Sequence, residues 1–466
     1  MTEQRDPVAT FVDLAGRHER MFWLDGGGSR HWSGRRSILG ALRDEDVSLT
    51  YDASASAVTR HANGRSEIVG DDIFTVLRDE VARDEGDPSV SWVGYLGYAC
   101  RPDLPARPDP TGAPDAVWMR VRDPLVIEHQ VLELGAAAGR EDPGRGHPLA
   151  RSSLARQRPT TAPPRARTSA GLLGAGAADS LTSVPADYAS AFQQVQRELH
   201  AGNSYEVNLT YRESIGSDVD PVTAYLRLRE LNPAPYAGFL QHGDTCLLSS
   251  SPERYATVTR DRVLETKPIK GTTQRGATPE EDAALAERLA SDPKFRAENL
   301  MIVDLLRNDL SMVCEPGTVE VPSLMAVESY ATVHQLVSTV RGRLRDGVGT
   351  IDALRALFPA GSMTGAPKLR TMQIIDRVES SPRGVYAGAF GWIGGDGRAD
   401  LGVVIRSLVA VRSGPAGPGG AQAGGAPYSY TLGTGGGITV RSDLEEEWAE
   451  TRWKADRLRA ALNAVN

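Results

Sequence analysis

The chain reads as an α+β protein in which antiparallel hairpins alternate with helices, and three observations predict it. Strand-like segments come in neighbouring pairs, as hairpins require. Helical periodicity is confined to separated stretches with recognisable starts and stops. A low-complexity insert at 413–427 lies between two strand-like segments, as the expanded tip of a hairpin would.

In chain order, residues 21–24 and 47–51 read as strands. Residues 72–84 place Ile73, Val76, Leu77 and Val81 on one helical face. Residues 91–98 form a glycine-spaced aromatic strand, and 117–121 and 125–132 read as a pair. Between 136 and 183 the composition turns to Gly, Pro, Arg, Ser and Ala, which predicts a linker or long surface loop. It divides an N-terminal subdomain, 1–135, from a motif-dense domain, 184–466. There, 186–201 is helical and stops at Gly202-Asn203, and a strand over 204–212 follows. Residues 403–411 and 428–432 are strand-like and flank the second insert.

At 466 residues, with 40% hydrophobic and 24% charged residues, the composition is that of a globular protein with a sizeable core. The net charge of −8 argues against nucleic acid or an anionic membrane as partner, while leaving room for a small anion bound by local arginines. No apolar run approaches the roughly 20 residues that span a bilayer. The polar N-terminus lacks the pattern of a signal peptide, and Cys100, Cys246 and Cys314 are odd in number and scattered. The expected setting is a reducing cytoplasm, without a disulfide or zinc framework.

Of 52 lysines and arginines only five are lysines: Lys267, Lys270, Lys294, Lys368 and Lys454. An amine can lose its proton and act as a nucleophile or base, whereas a guanidinium stays charged. Codon bias alone would leave a few lysines, and Lys294 is assigned to that background. Lys270 is different, because it lies between a strand at 262–266 and a Gly-Thr turn, in Lys267-Pro268-Ile269-Lys270-Gly271-Thr272.

Two helices carry acids. Asp292-Pro293 is a cap followed by proline at the first helical position, and Glu298 falls in the first turns of the apolar helix that follows. The last helix opens on the capping box Ser442-Asp443-Leu444-Glu445, with Glu447, Glu450 and Lys454 flanking its apolar stripe. Glu450 and Lys454 make either a surface i,i+4 pair or, with Glu298, part of a site for a hard cation. The run Gly433-Thr434-Gly435-Gly436-Gly437 can present backbone N–H groups to an anion, but it lacks the third glycine of a dinucleotide fingerprint. Gly361 to Lys368 is a second glycine-rich turn. Arg406, inside an apolar strand, needs an anion, and a carboxylate fits best.

These motifs stand in a familiar order: Ser251-Pro252-Glu253-Arg254, Pro268-Ile269-Lys270-Gly271-Thr272, Ala297-Glu298-Asn299-Leu300-Met301, the Gly361 turn, Val404-Ile405-Arg406, Gly435-Gly436-Gly437 and Glu450-Thr451. Together they resemble the chorismate-utilising enzymes, strongly from about residue 185 onward and more weakly before it. The resemblance implies large antiparallel sheets in a sandwich-like core covered by helices. It also implies chorismate as substrate and Mg²⁺ held by Glu298, Glu447 and Glu450.

Within the family the residues at two positions track the nucleophile. Lysine at 270 is typical of the aminodeoxychorismate synthase component I branch, and isochorismate and salicylate synthases carry a water-activating lysine where this chain has Glu206. The pattern implies amination of chorismate at C4, with Lys270 attacking C2 as an amine whose pKa is lowered. Glu253 is implied as the general acid. Gly271, Thr272, His334, Tyr386, Arg406, Gly435, Gly436, Gly437 and Lys454 are implied as the substrate pocket.

Three departures stand out: Phe295 one turn before Glu298, where relatives often have an acid; Asp25 for a serine that some relatives place near bound tryptophan; and Glu206 for a glutamine. No cysteine sits in a glycine-flanked nucleophile elbow, so ammonia implies a separate glutamine amidotransferase subunit. The product would serve 4-aminobenzoate and folate or a specialised metabolite. The competing readings are anthranilate synthase component I and, from another class, a non-catalytic chorismate-binding subunit.

Overall fold

The computed structural model describes residues 6–26, 36–110, 113–129, 183–330, 333–413 and 427–463. Two antiparallel sheets carry the fold. The first holds, in spatial order, β17 (Gly365–Ala366), β9 (Glu206–Ser217), β21 (Tyr428–Ile438), β20 (Ser407–Arg412), β11 (Thr245–Ser251), β10 (Tyr236–His242), β1 (Arg20–Asp25), β2 (Arg36–Ala41) and β8 (Leu125–Glu128). The second runs β14 (Ile269–Gln274), β16 (Val333–Arg343), β13 (Val263–Lys267), β12 (Arg254–Val258), β19 (Ala399–Val403), β18 (Ala389–Gly394), β6 (Val90–Leu96), β7 (Ala116–Arg122), β3 (Ser48–Asp52), β4 (Ala57–Ala62) and β5 (Arg65–Gly70). A further strand, β15 (Glu320–Ser329), also pairs with β16.

Side-chain alternation decides what each sheet face covers. Phe22 points into a core shared with Val93, Tyr95, Val117, Leu240 and Phe390, where residues of both sheets meet face to face. Its neighbours Met21 and Trp23 point the other way. They pack with Phe11 of α1 (Pro7–Arg17), Tyr225 of α4 (Pro221–Leu231) and Leu458 of α9 (Leu444–Ala461). On the second sheet Trp92 and Leu96 join Phe74 of α2 (Ile73–Ala82), Ile302 of α6 (Pro293–Ser311) and Leu354 of α7 (Thr350–Leu357). A smaller cluster joins α3 (Ala186–His200) and α8 (Lys368–Val378) to β9. Helix α5 (Pro279–Ser291) completes the set among the described residues. None of these helices is long and apolar enough to cross a membrane. The three cysteines are free and buried.

Both sheets mix strands from either side of residues 130–183. β1 pairs with β10, Met21 opposite Gln241, and β6 pairs with β18, Gly94 opposite Gly391. Met1–His129 and Val184–Asn466 accordingly form one compact unit. A boundary near 135 therefore separates no two cores. The expected linker at 136–183, apart from Ser183, and the expected hairpin tip at 413–427, apart from Ser413 and Pro427, lie outside the described residues, as does the end of the strand expected over 125–132. The hairpin itself is present as β20 and β21.

The continuous strand expected over 403–411 is two strands. β19 belongs to the second sheet and β20 to the first, and the chain crosses between them at Val404 to Arg406, with Arg406 at φ 48°. Beside it, Pro252 and Glu253 make the same crossing from β11 to β12. Periodicity does not register such a corner, because both halves are apolar strands. Since β20 starts at Ser407, it pairs with β21 only over Tyr428–Leu432. The glycine run that follows is no turn. It continues β21 against β9 as far as Ile438 opposite Val207, with its other edge free of a strand partner.

Candidate active site

The open edge of β21, the two crossings and the facing ends of α6 and α9 enclose a cavity of about 450 Å³. Its walls include Glu253, Lys270, Gly271, Thr272, Glu298, Tyr386, Arg406, Gly435, Gly436, Gly437, Glu447, Glu450 and Lys454, so thirteen of the fourteen predicted residues share one pocket. His334 is not among them. Its ring is buried, with Nδ1 2.7 Å from Ser329 Oγ and Nε2 2.9 Å from Asp282 Oδ1. It is a satisfied core histidine, a position that residue type alone could not separate from a pocket wall.

Glycine is required along β21. A Cβ on Gly437 would lie 2.3 Å from Glu206 Oε1, one on Gly436 3.0 Å from Glu447 Oε2, and one on Gly433 2.2 Å from the Tyr386 ring. Removing the side chains lets two carboxylates and an aromatic ring close on the strand. At Gly271, φ is 85° and the ring of Phe295 packs where a Cβ would project. Phe295 thus covers the turn after Lys270, at a position where an acid would have faced the cavity.

Charge pairing sorts the cavity's residues. Three lysines each hold a carboxylate: Lys270 Nζ is 2.5 Å from Glu206 Oε1, Lys294 Nζ 3.0 Å from Glu447 Oε1, and Lys454 Nζ 2.7 Å from Glu450 Oε1. Lys454 also donates to the Gly435 carbonyl at 2.9 Å. The i,i+4 pair foreseen on α9 exists, with Glu450 nearly half exposed at the cavity mouth. Lys294, assigned to background on sequence, instead faces the cavity, and its cap explains why: Asp292 accepts from the Lys294 and Phe295 N–H groups and sets the helix start. Glu206 is the other residue whose role sequence left open, since the pairing depends on β9 and β14 meeting across the cavity.

Three groups are left without a charged protein partner among the described residues. Glu253 is buried, and burial pushes its carboxyl up to about 7, against smaller opposing effects from a Ser362 hydrogen bond and from Lys270 and Lys454. Glu298 is pushed up to about 7 by burial and by Glu206, and its Oε1 has no hydrogen-bond partner. Arg406 stacks over Trp453, 5.5 Å from the ring centroid, with burial and Arg457 lowering its pKa. The site thus presents a protonatable acid, an uncompensated carboxylate and an unmatched guanidinium.

Lys270 differs from expectation. Burial alone lowers its pKa, but Glu206, Glu298 and Glu253 together outweigh burial and raise it. The amine is held as an ammonium, and neutralising it needs a proton acceptor within the site.

The orphaned Glu298 oxygen in a carboxylate-rich wall suits a hard cation. Glu447 and Glu450 stand on the same wall but are held by lysines. No three acidic, histidine or cysteine side chains among the described residues are gathered closely enough to form a metal cage. A cation here would rest on one or two carboxylates, with substrate and water oxygens filling its shell. Asp25, at the end of β1, lies outside this pocket; it pairs with Arg229 at 2.5 Å, accepts from the Tyr225 hydroxyl at 3.3 Å, and lines a separate cavity of about 740 Å³ with Tyr236, Phe390 and Trp392.

The chain is 40% identical over 490 residues to an aminodeoxychorismate synthase of Streptomyces pristinaespiralis, covering 99% of this chain and 64% of that protein. It is 41% identical over 272 residues to aminodeoxychorismate synthase component 1 of Salmonella typhimurium, covering 58% and 56% of the two chains. It therefore spans less than two thirds of the length of either relative. Anthranilate synthase component I from Streptococcus pneumoniae shares the fold, with a TM-score of 0.67 at 24% identity over 98% of both chains. The family model described as chorismate binding enzyme matches residues 20–460, and with these sheets and this pocket the chain belongs to that family.

Proposed function

We propose that this chain aminates chorismate at C4, forming 4-amino-4-deoxychorismate through a covalent intermediate on Lys270. The observation that carries the reading is the pairing pattern: a buried amine poised on Glu206, facing an acid pushed up to about 7, with one guanidinium left for a carboxylate.

Chorismate brings a ring carboxylate, an enolpyruvyl carboxylate and a C4 hydroxyl that leaves only if protonated. Arg406 and the open edge of β21 hold the enolpyruvyl side. Glu206 takes a proton from Lys270, whose amine then bonds to C2 as the two ring double bonds shift. The C4–O bond breaks, and Glu253 gives its proton to the departing hydroxyl, which leaves as water. Ammonia then bonds to C4, the double bonds shift back, and the C2–N bond breaks. Lys270 leaves as the amine and recovers its proton from Glu206, while Glu253 takes the proton that the new C4 ammonium sheds. The sum is chorismate plus ammonia to product plus water, with the enolpyruvyl ether intact. Mg²⁺ on Glu298, with Glu447 or Glu450, would bind the ring carboxylate and polarise the ring.

Ammonia must come from outside these residues. Burial pushes the thiols of Cys100, Cys246 and Cys314 up, away from nucleophilic use, so glutamine hydrolysis is assigned to a partner amidotransferase. The test is mass spectrometry after incubation with chorismate, Mg²⁺ and ammonium salt. A product with NH₂ for OH and the enolpyruvyl group retained, lost in Lys270→Ala, is expected. Anthranilate plus pyruvate would overturn the assignment in favour of the related synthase.

A further inference from the structure

Behind the pocket lies a buried charge cluster that takes no part in the chemistry above. Glu379 follows α8, and its side chain is 2% exposed, as is that of Arg383, while that of Arg212 is 7% exposed. One Glu379 oxygen accepts from the Thr210 N–H at 2.9 Å, the Thr210 hydroxyl at 2.7 Å and Arg383 Nη2 at 2.7 Å. The other accepts from Arg383 Nε at 3.0 Å and Arg212 Nη2 at 3.1 Å. Two guanidiniums thus share one carboxylate out of water, a costly arrangement whose contribution to stability is small. Its geometry is what distinguishes it.

Arg383 reaches past Glu379 to two walls of the pocket at once. Nη1 donates to the Met363 carbonyl at 2.6 Å and Nη2 to the Asn208 carbonyl at 2.8 Å. Asn208 returns a bond from Nδ2 to the Ser362 carbonyl at 2.9 Å. Along β9, Asn208 stands two residues from Glu206 on the same face, and Glu206 holds Lys270. On the other wall, Ser362 hydrogen-bonds Glu253. The clamp therefore joins the strand that holds the nucleophile's partner to the turn that holds the acid's partner. Arg212 adds a third link, its guanidinium 4.8 Å from the Tyr386 ring centroid.

We propose that Arg383, locked by Glu379, is a positioning residue that fixes the separation between the Lys270–Glu206 pair and Glu253. The inference rests on the reading of Lys270 and Glu253 as the reacting groups. A misplacement of about 1 Å at reacting atoms costs on the order of 100-fold in rate without weakening substrate binding.

The experiment compares Arg383→Lys with wild type in the full chain, following chorismate consumption with Mg²⁺ and ammonium salt. A drop in kcat of about 10- to 100-fold is expected, with KM for chorismate held within about threefold. A second readout separates positioning from a merely softened fold. The charged groups around Glu253 are Lys270 and Lys454, with Glu206 and Glu298 beyond them, and none of these is altered. Loosening Ser362 removes a bond that favours the ionised carboxyl, so the alkaline limb of the kcat profile moves to higher pH. An unchanged kcat, or a lower melting temperature with unchanged kcat and limb, overturns the proposal. If Arg383→Lys does not fold, Thr210→Val, which removes one bond to Glu379, decides alone: a severalfold fall in kcat at constant KM supports it, and a wild-type kcat overturns it. Wild-type protein that leaves chorismate untouched would instead sink the functional reading, an outcome distinct from either.

Discussion

Lys270 and Glu206 form an ion pair across the cavity, the amine on β14 and the carboxylate on β9, with the Glu206 side chain fully buried and that of Lys270 10% exposed. The proton between them is screened from bulk water. In Glu206→Gln that proton must be lost to solvent. The rate near pH 7 is expected to fall by about 100-fold, and the ratio of variant to wild type to climb as pH rises toward about 9. The ratio cancels the changing fraction of free ammonia. A pH-independent ratio near one would remove Glu206 from the mechanism. Because the folded pKa of Lys270 is raised above 10.5, its contribution to stability is intact below that value and lost only as pH rises through the folded pKa, so neutral-pH melting reports no titration of this amine.

Glu253 makes the opposite trade. Its carboxyl is raised from 4.5 to about 7, so its ionised form is disfavoured in the folded state. Stability from this residue is full below 4.5, declines as pH rises to about 7 and is flat above, by up to roughly 3 kcal/mol. Glu253→Gln should therefore melt higher than wild type at pH about 8 and equally at about 4, while losing on the order of 100-fold or more in rate. Thermal melts across that range, beside the turnover assay, check both.

For Glu298 the expected partner is a cation. Added Mg²⁺ should raise the melting temperature of wild type, by about 2.7 kcal/mol of stability at 100 times the dissociation constant. Glu298→Gln should lose most of that response and, without Mg²⁺, melt above wild type, since an unpaired buried carboxylate has been neutralised. Calorimetry with and without chelator distinguishes this from a carboxylate that only lines the wall.

Gly437→Ala would place a methyl 2.3 Å from Glu206 Oε1. The expected result is a loss of about 1–3 kcal/mol in stability from overpacking. A rate loss of at least about 10-fold should accompany it as the Lys270 partner is displaced. Ammonium-dependent turnover and a denaturant melt measure the two, and a variant with wild-type turnover would show that Glu206 can move freely.

How much of this could be read in advance depended on whether a residue's role is local. Lys270, Glu253 and the Asp292–Pro293 helix start were legible because residue scarcity, motif and capping act within a few residues. The hairpin of β20 and β21 was legible for the same reason. What escaped depends on contacts between distant segments. Lys294 looked incidental until α6 brought it to Glu447. His334 looked like a wall residue until Asp282 and Ser329 took both ring nitrogens. The Glu379–Arg383 clamp drew no notice, since an i,i+4 acid–base pair beside a helix end is commonplace on exposed surfaces. The corner at Arg406 was hidden because an apolar run has the same period in one sheet or two. The Lys270 pKa runs opposite to the expectation from burial, because the three carboxylates that raise it converge from distant segments.

The sharing of both sheets between the two ends of the chain bears on how the protein can be cut. A fragment starting at 184 would keep every side chain of the cavity yet lose β1 from beside β10 and β6 from beside β18. Two strands, each paired on both sides in the intact protein, would then have bare edges that recruit whatever strand they meet, including other copies. The portion that holds the cavity is thus no minimal folding unit. Supplied together, residues 1–129 and 184–466 would each be the other's edge cover, which makes this chain a natural candidate for a split enzyme reassembled from two pieces.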